Sequence, residues 1–253
     1  MSFYFKPTGG EIPQLNGCGL FFHFNERHYC FSNAHVLIDQ EPRKSFILYP
    51  DGTVISIGGN SRFTQLPLSA SRNDDKADIY VIELSIQTVF ELKQRGQLFL
   101  NINSIITGHT LKESDRLFVI GFPANKVKAK TNEKVVIAEP LLFRTIPRLI
   151  SDLKFRYSQD LHFLADYPRN TLVERNSGLN WKGPKPHGIS GSGLWLIRDL
   201  GNFNYKLFLI GIFSEYDENR AILASTKIDL YIDMIRQFFD STIPNHGARI
   251  QLS

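Results

Sequence analysis

The 253 residues predict an all-β protein of barrel or sandwich type, closed by one C-terminal helix. Two observations carry that expectation. Short runs rich in Phe, Ile, Val, Leu and Tyr recur at close spacing, separated by Gly, Asn, Asp and Pro, which is the pattern of strands and turns. Near the C-terminus the period changes: Ile228, Tyr231, Ile232, Ile235, Phe238 and Phe239 fall on one helical face.

Taken in order, residues 17–34 read as a hairpin that turns at Asn25-Glu26-Arg27 and runs into Ala34-His35-Val36-Leu37. A turn near Glu26 puts Cys30 opposite Phe22 and Cys18 opposite Ala34, on one face but too far apart to bond. Strands are expected at 46–49, 54–57 and 62–66. A polar loop, 71–76, leads into an apolar strand over 77–84 with Asp78 at its mouth. Residues 86–113 read as a connector with one helical turn at Ile86, Val89 and Phe90. A second set of strands is expected at 117–123, 135–138, 161–165, 194–197, 207–213 and 221–224, and Thr226-Lys227-Ile228-Asp229 reads as a small capping box before the helix.

Composition narrows the classes of function. An apolar content of 42% with 20 Phe describes a packed core rather than a disordered chain. A net charge of +4, spread along the sequence, is too weak to argue for nucleic acid, so no nucleic-acid partner is expected. Lys126, Lys128, Lys130 and Lys134 read as a solvated basic hairpin. The start Met1–Pro7 lacks a signal pattern and no apolar run reaches membrane-spanning length; a cytoplasmic protein with no membrane partner is the expectation. Cys18 and Cys30 read as free thiols. His23, His28, His109, His162 and His246 show no metal-ligand spacing and read as structural or surface, so neither metal nor cofactor is expected.

The chemistry concentrates in His187-Gly188-Ile189-Ser190-Gly191-Ser192-Gly193-Leu194-Trp195. A hydroxyl that attacks a carbonyl must stand clear of a tight turn whose N–H groups point at the oxyanion. Glycine at 188 allows the amides of Gly188 and Ser190 to face one hole, and glycine at 191 is expected to leave room for substrate. Ser192 lies beyond the apex and is not favoured as nucleophile. By itself the turn is also an ordinary flexible loop. It gains meaning from His35, after two small residues at a strand end, and from Asp78, because serine catalysis needs a base and a buried carboxylate to orient it.

In that order, His35, Asp78 and Ser190 resemble the chymotrypsin/trypsin-like serine peptidases, in particular the bacterial branch with the glutamyl endopeptidases and Deg/HtrA proteases. Ser32-Asn33-Ala34-His35-Val36 is similar to the family's Thr-Ala-Ala-His segment, and Gly17-Cys18-Gly19-Leu20 to the Gly-x-Gly-Phe that opens the strand before it. Ala77-Asp78-Ile79-Tyr80-Val81-Ile82 resembles Asp-Ile-Ala-Val-Leu. Gly188-Ile189-Ser190-Gly191-Ser192 resembles Gly-Asn-Ser-Gly-Ser, and Leu209–Ser214 resembles Val-Gly-Ile-Val-Ser.

The resemblance implies two antiparallel six-stranded β-barrels, residues 1–113 with His35 and Asp78 and residues 114–253 with Ser190, working as one endopeptidase unit. It implies that Ser190 attacks, His35 acts as base and then acid, Asp78 orients His35, and Gly188 and Ser190 hold the oxyanion. Ser214, Glu215 and Tyr216 would pair with a peptide or protein substrate as an added strand. Pro184 falls at the base of the specificity pocket, where trypsin has Asp, so cleavage after Lys or Arg is not expected. Tyr216 and Leu223 would make the pocket shallow and apolar, while His187 on the rim keeps acidic side chains open. Ile189 replaces the Asp that binds a trimmed N-terminus. Residues 168–186 are expected to form a mobile cleft wall. The resemblance further implies an intracellular stress or phage-defence effector, switched on by an activating partner protein. The alternative is a latent or inactive peptide-binding module of the same fold.

Overall fold

The computed structural model describes residues 2–5, 14–38, 46–49, 51–67, 69–71, 74–130, 135–149, 157–173, 178 and 180–243. Strands form where buried and half-buried positions alternate, as along Leu117–Gly121, because a pleated chain turns every second side chain inward.

The earlier strands make two four-stranded antiparallel sheets. One runs in the order Gln14–Cys18, Ser2–Phe5, Phe46–Leu48, Val54–Ser56; the other runs Leu20–Phe24, Arg27–Asn33, Ile79–Leu84, Gly59–Phe63. A single run of chain, interrupted at Gly19, feeds both, as at the corner of a barrel. From Leu117 onward seven strands form one antiparallel sheet: Leu141–Thr145, Leu117–Gly121, Gly193–Asp199, Tyr205–Asp217, Ile222–Lys227, His162–Asp166 and Pro147–Arg148. The all-β architecture and the C-terminal helix are as expected; within it, hydrogen bonding groups these strands four, four and seven. Among the described residues no helix is long and apolar enough to cross a membrane.

Several local expectations are corrected. The first hairpin pairs Phe21 with Cys30 and Phe24 with Arg27, one residue tighter than expected. Asn25 and Glu26 sit at φ 45° and 68°, the left-handed pair that a two-residue turn matching strand twist requires. Cys30 therefore faces Phe21 rather than Phe22, and both cysteines are buried and free. The expected 62–66 strand lies instead at Gly59–Phe63.

The connector holds a nine-residue helix, Ile86–Gln94, not one turn. Its Ser85 cap sets the register so that Thr88 and Leu92 face inward, leaving Ile86 91% exposed. The C-terminal helix Ile228–Phe238 lacks the expected capping box: Thr226 Oγ1 donates to Ala77 O and Asp229 accepts from Gly108 N.

That helix is buried on nearly every side from Ile228 to Ile235. It shares a core with Phe22, Phe24, Tyr29, Phe31, Ile79 and Val81 of the first half and with Leu209 and Ile212 of the seven-stranded sheet. Each such apolar side chain contributes about 1.5–3 kcal/mol by leaving water. The Tyr231 ring stacks on Phe31 at 5.3 Å and its hydroxyl donates to Ser32 O at 3.0 Å. The helix thereby fixes the strand that leads to His35 against the second half of the chain.

Candidate active site

The strand Arg27–Asn33 passes into a single helical turn, Ala34–Leu37, in which Ala34 and Val36 are buried and His35 faces outward, its side chain 36% exposed. Asn16 Nδ2 donates to Val36 O and holds that turn. Asp78 binds the same turn at several points. Its Oδ2 lies 2.5 Å from His35 Nδ1, its Oδ1 accepts from His35 N at 3.0 Å, and its carbonyl accepts from Ala34 N at 3.2 Å and Asn33 Nδ2 at 3.1 Å. A carboxylate on Nδ1 keeps the proton there and leaves Nε2 with its lone pair, the form able to accept a proton. Burial holds the Asp78 carboxyl above its ordinary value, and the hydrogen bond and charge of His35 offset only part of that rise.

Asp78 itself sits at φ +50°, a left-handed conformation that costs a non-glycine residue about 1–2 kcal/mol. Its surroundings hold it there. Asp75 Oδ1 accepts from Ala77 N at 3.2 Å and Asp78 N at 2.9 Å, while Thr64 Oγ1 donates to Asp75 and accepts from Ile79 N. On the opposite side His162 Nε2 lies 2.7 Å from Lys76 O and Thr226 Oγ1 lies 2.8 Å from Ala77 O. None of these four side chains is expected from the sequence to support the site: His162 reads there as structural or surface and Thr226 as part of a helix cap. Asp75 alone carried a signal, as an Asx residue three positions before Asp78 in a polar loop.

Ser190 is held from three sides. Its carbonyl accepts from Cys18 N at 2.6 Å, Gly191 N donates to Phe213 O at 2.8 Å, and Ser192 N donates to Ile189 O at 2.9 Å. Gly191, at φ +87°, leaves no space for a side chain: a Cβ there would lie 1.9 Å from Cys18 O and 2.7 Å from Ser32 Oγ. Its smallness therefore admits the Cys18 strand, not substrate as expected. A Cβ on Gly17 would lie 2.6 Å from Val36 Cγ2 and 2.9 Å from Ser190 O. The serine turn thus docks beside the residue that follows His35. Ser190 Oγ donates to Ser214 O at 3.2 Å. Gly188 sits at φ +90°, and among the described residues the amides of Gly188 and Ser190 have no acceptor. Ser192 is buried and its hydroxyl has no partner among the described residues.

Ser214 is the irregular residue where Tyr205–Asp217 changes register against Ile222–Lys227, which turns its carbonyl toward Ser190. Among the described residues that strand is paired beyond Ile212 with Ile222–Lys227, and Ser214, Glu215 and Tyr216 lie along this stretch. Tyr216 packs edge-on against the fully buried Tyr167 at 5.5 Å, and Tyr167 donates its hydroxyl to Pro184 O at 2.8 Å. Leu223, 1% exposed, packs into the same cluster and backs the wall from behind. His187 is exposed, with its carbonyl accepting from Ala124 N. Arg169, not foreseen, bonds Gly183 O through Nε at 2.7 Å and faces Glu218. Within the expected wall 168–186, Leu172–Val173 pairs with Asn180–Trp181, whereas 174–177 and 179 lie outside the described residues. Among the described residues no group of three or more His, Cys, Asp or Glu is placed to hold a metal.

This arrangement has the fold of the chymotrypsin/trypsin-like serine peptidases. The chain is similar to the serine endoprotease from Yersinia pestis, with a TM-score of 0.50 at 15% identity over 93% of its own length. It spans 61% of that protease's length. It is also similar to the solved structure of GrC, with a TM-score of 0.54 at 13% identity, over 93% of this chain and 91% of the other. No family model matches the sequence, and no curated protein matches it.

Proposed function

We propose that this chain is a serine endopeptidase in which Ser190, His35 and Asp78 form the catalytic triad. The observation that carries this is the double contact of Asp78 with His35, at Nδ1 and at the backbone amide, which fixes both the tautomer and the position of the ring. Ser190 Oγ attacks the scissile carbonyl as His35 Nε2 takes its proton. The oxyanion collects the otherwise unused amides of Gly188 and Ser190. His35 then gives the proton to the leaving amine, and water repeats the sequence to release the acyl group. Substrate backbone adds as a strand to Ser214, Glu215 and Tyr216, and the halves 1–113 and 114–253 supply the base and the nucleophile. Tyr216, Tyr167 and Pro184 favour small or apolar residues before the cut.

A second reading has its own support. Ser190 Oγ already donates to Ser214 O, and Tyr216 packs edge-on against Tyr167, as suits a latent enzyme that a partner protein switches on, or a peptide-binding module. An intracellular stress or defence role belongs to this regulated form. Incubation of the purified chain with a library of unstructured peptides, beside His35→Ala, separates the readings. Cuts that depend on His35 support the peptidase, and peptide binding without any cut supports the module.

A further inference from the structure

The carboxylate that meets His35 is held from across the molecule. Three successive carbonyls lead to it: Lys76 O faces His162 Nε2 at 2.7 Å, Ala77 O faces Thr226 Oγ1 at 2.8 Å, and Asp78 O faces Asn33 Nδ2 at 3.1 Å. The first two donors come from the seven-stranded sheet, where His162 and Thr226 are direct cross-strand partners. Thr226 in turn pairs with Ile212, and Ile212 with Gly193, three residues after Ser190. One continuous row of paired residues, Gly193–Ile212–Thr226–His162, therefore joins the serine turn to the two side chains that grip the Asp78 loop.

His162 is built for a fixed task. It is 4% exposed, its ring meets Tyr157 edge-on at 5.7 Å, and its Nδ1 accepts from Ser158 N at 3.1 Å. Ser158 thereby forces the ring proton onto Nε2, the atom aimed at Lys76 O. A left-handed Asp78 is a conformation that persists only where surrounding contacts over-determine it, and this pair supplies the contacts from the second half.

We propose that His162, with Thr226, is a positioning residue for catalysis: by fixing the Lys76–Asp78 backbone it refers the carboxylate to the same sheet that carries the nucleophile. This rests on the Ser190 chemistry proposed above, so the test has one readout that needs no activity. The purified full chain is compared with His162→Ala, His162→Gln, Thr226→Val and Thr226→Ser. The first readout is the downfield proton resonance of His35 Nδ1–H, assigned by its loss in Asp78→Asn. The second is the rate of Ser190 labelling by a fluorophosphonate. His162→Ala and Thr226→Val should move or abolish the resonance and slow labelling by about tenfold to a hundredfold, the scale of an ångström's misplacement. His162→Gln and Thr226→Ser, which keep a donor, should recover most of both. Thr226→Val keeps the shape of the side chain and decides the matter where His162→Ala fails to fold. An unmoved resonance in Thr226→Val, or a Gln or Ser variant no better than its donorless counterpart, overturns the inference. Absence of labelling in the wild type instead counts against the proposed peptidase, and the resonance still decides the role of His162 and Thr226.

Discussion

Gly191→Ala tests how the serine turn is held. The new Cβ would lie 1.9 Å from Cys18 O, a distance no real contact tolerates, so the Cys18 carbonyl or the turn must move. The left-handed φ of +87° adds a backbone cost of about 1–2 kcal/mol for alanine, and overpacking adds about 1–3 kcal/mol. Together these give a loss of about 2–5 kcal/mol. At the 2–4 °C per kcal/mol typical of domains this size, that is a fall of about 4–20 °C in Tm. Gly201→Ala is the control. Its φ is +86° but nothing lies within 4 Å of the added carbon, so only the backbone cost applies. Because Cys18 N also holds Ser190 O at 2.6 Å, displacing Cys18 drags the nucleophile, and fluorophosphonate labelling should slow in Gly191→Ala alone. Paired thermal melts and labelling rates make the comparison. A Gly191→Ala protein that melts no lower than Gly201→Ala and labels as fast as wild type refutes the docking of the turn on the Cys18 strand.

Three further outcomes are expected. Asp78→Asn keeps the shape but loses the acceptor that fixes the His35 tautomer, and labelling of Ser190 should fall by about 10⁴-fold, measured as a second-order rate. Tyr231→Phe removes the second donor to Ser32 O, which keeps its strand pairing with Tyr80, and should cost about 0.5–1.5 kcal/mol, read from the midpoint of urea unfolding. Burial, with Lys93 and His23 beside it, lowers His28 from 6.5 to about 4. Its charged form therefore opposes folding: stability is unaffected above about 6.5 and is lost as pH falls toward 4. A plot of Tm against pH should be flatter over that range in His28→Gln.

The fold was legible where pattern alone decides structure. Short alternating runs gave the strands of the second half nearly in place, and the helical period after Thr226 gave the last helix. Legibility failed where a local cap or a tertiary contact overrides the pattern. Ser85 rotates the Ile86–Gln94 helix so that apolar Ile86 faces solvent, and the tight Asn25-Glu26 turn slides the hairpin by one residue. In the site, His35 and Asp78 were visible because their neighbours are small or apolar, and the structure brings the two into contact. His162 and Thr226 were not, because their role depends on strand pairing across residues far apart in the chain, and a buried histidine looks the same in sequence as any structural one. Gly191 was expected to leave room for substrate, whereas the Cys18 carbonyl fills the space beside it, a contact between residues far apart in the chain that the sequence pattern does not carry.

The central claim is that Ser190 is a nucleophile activated by His35. Its most direct test is mass spectrometry of the wild-type protein after treatment with a fluorophosphonate, beside His35→Ala. The account predicts one covalent adduct, located on Ser190 and lost in His35→Ala. An adduct on Ser192 or elsewhere, or a wild-type chain left unmodified, would contradict it.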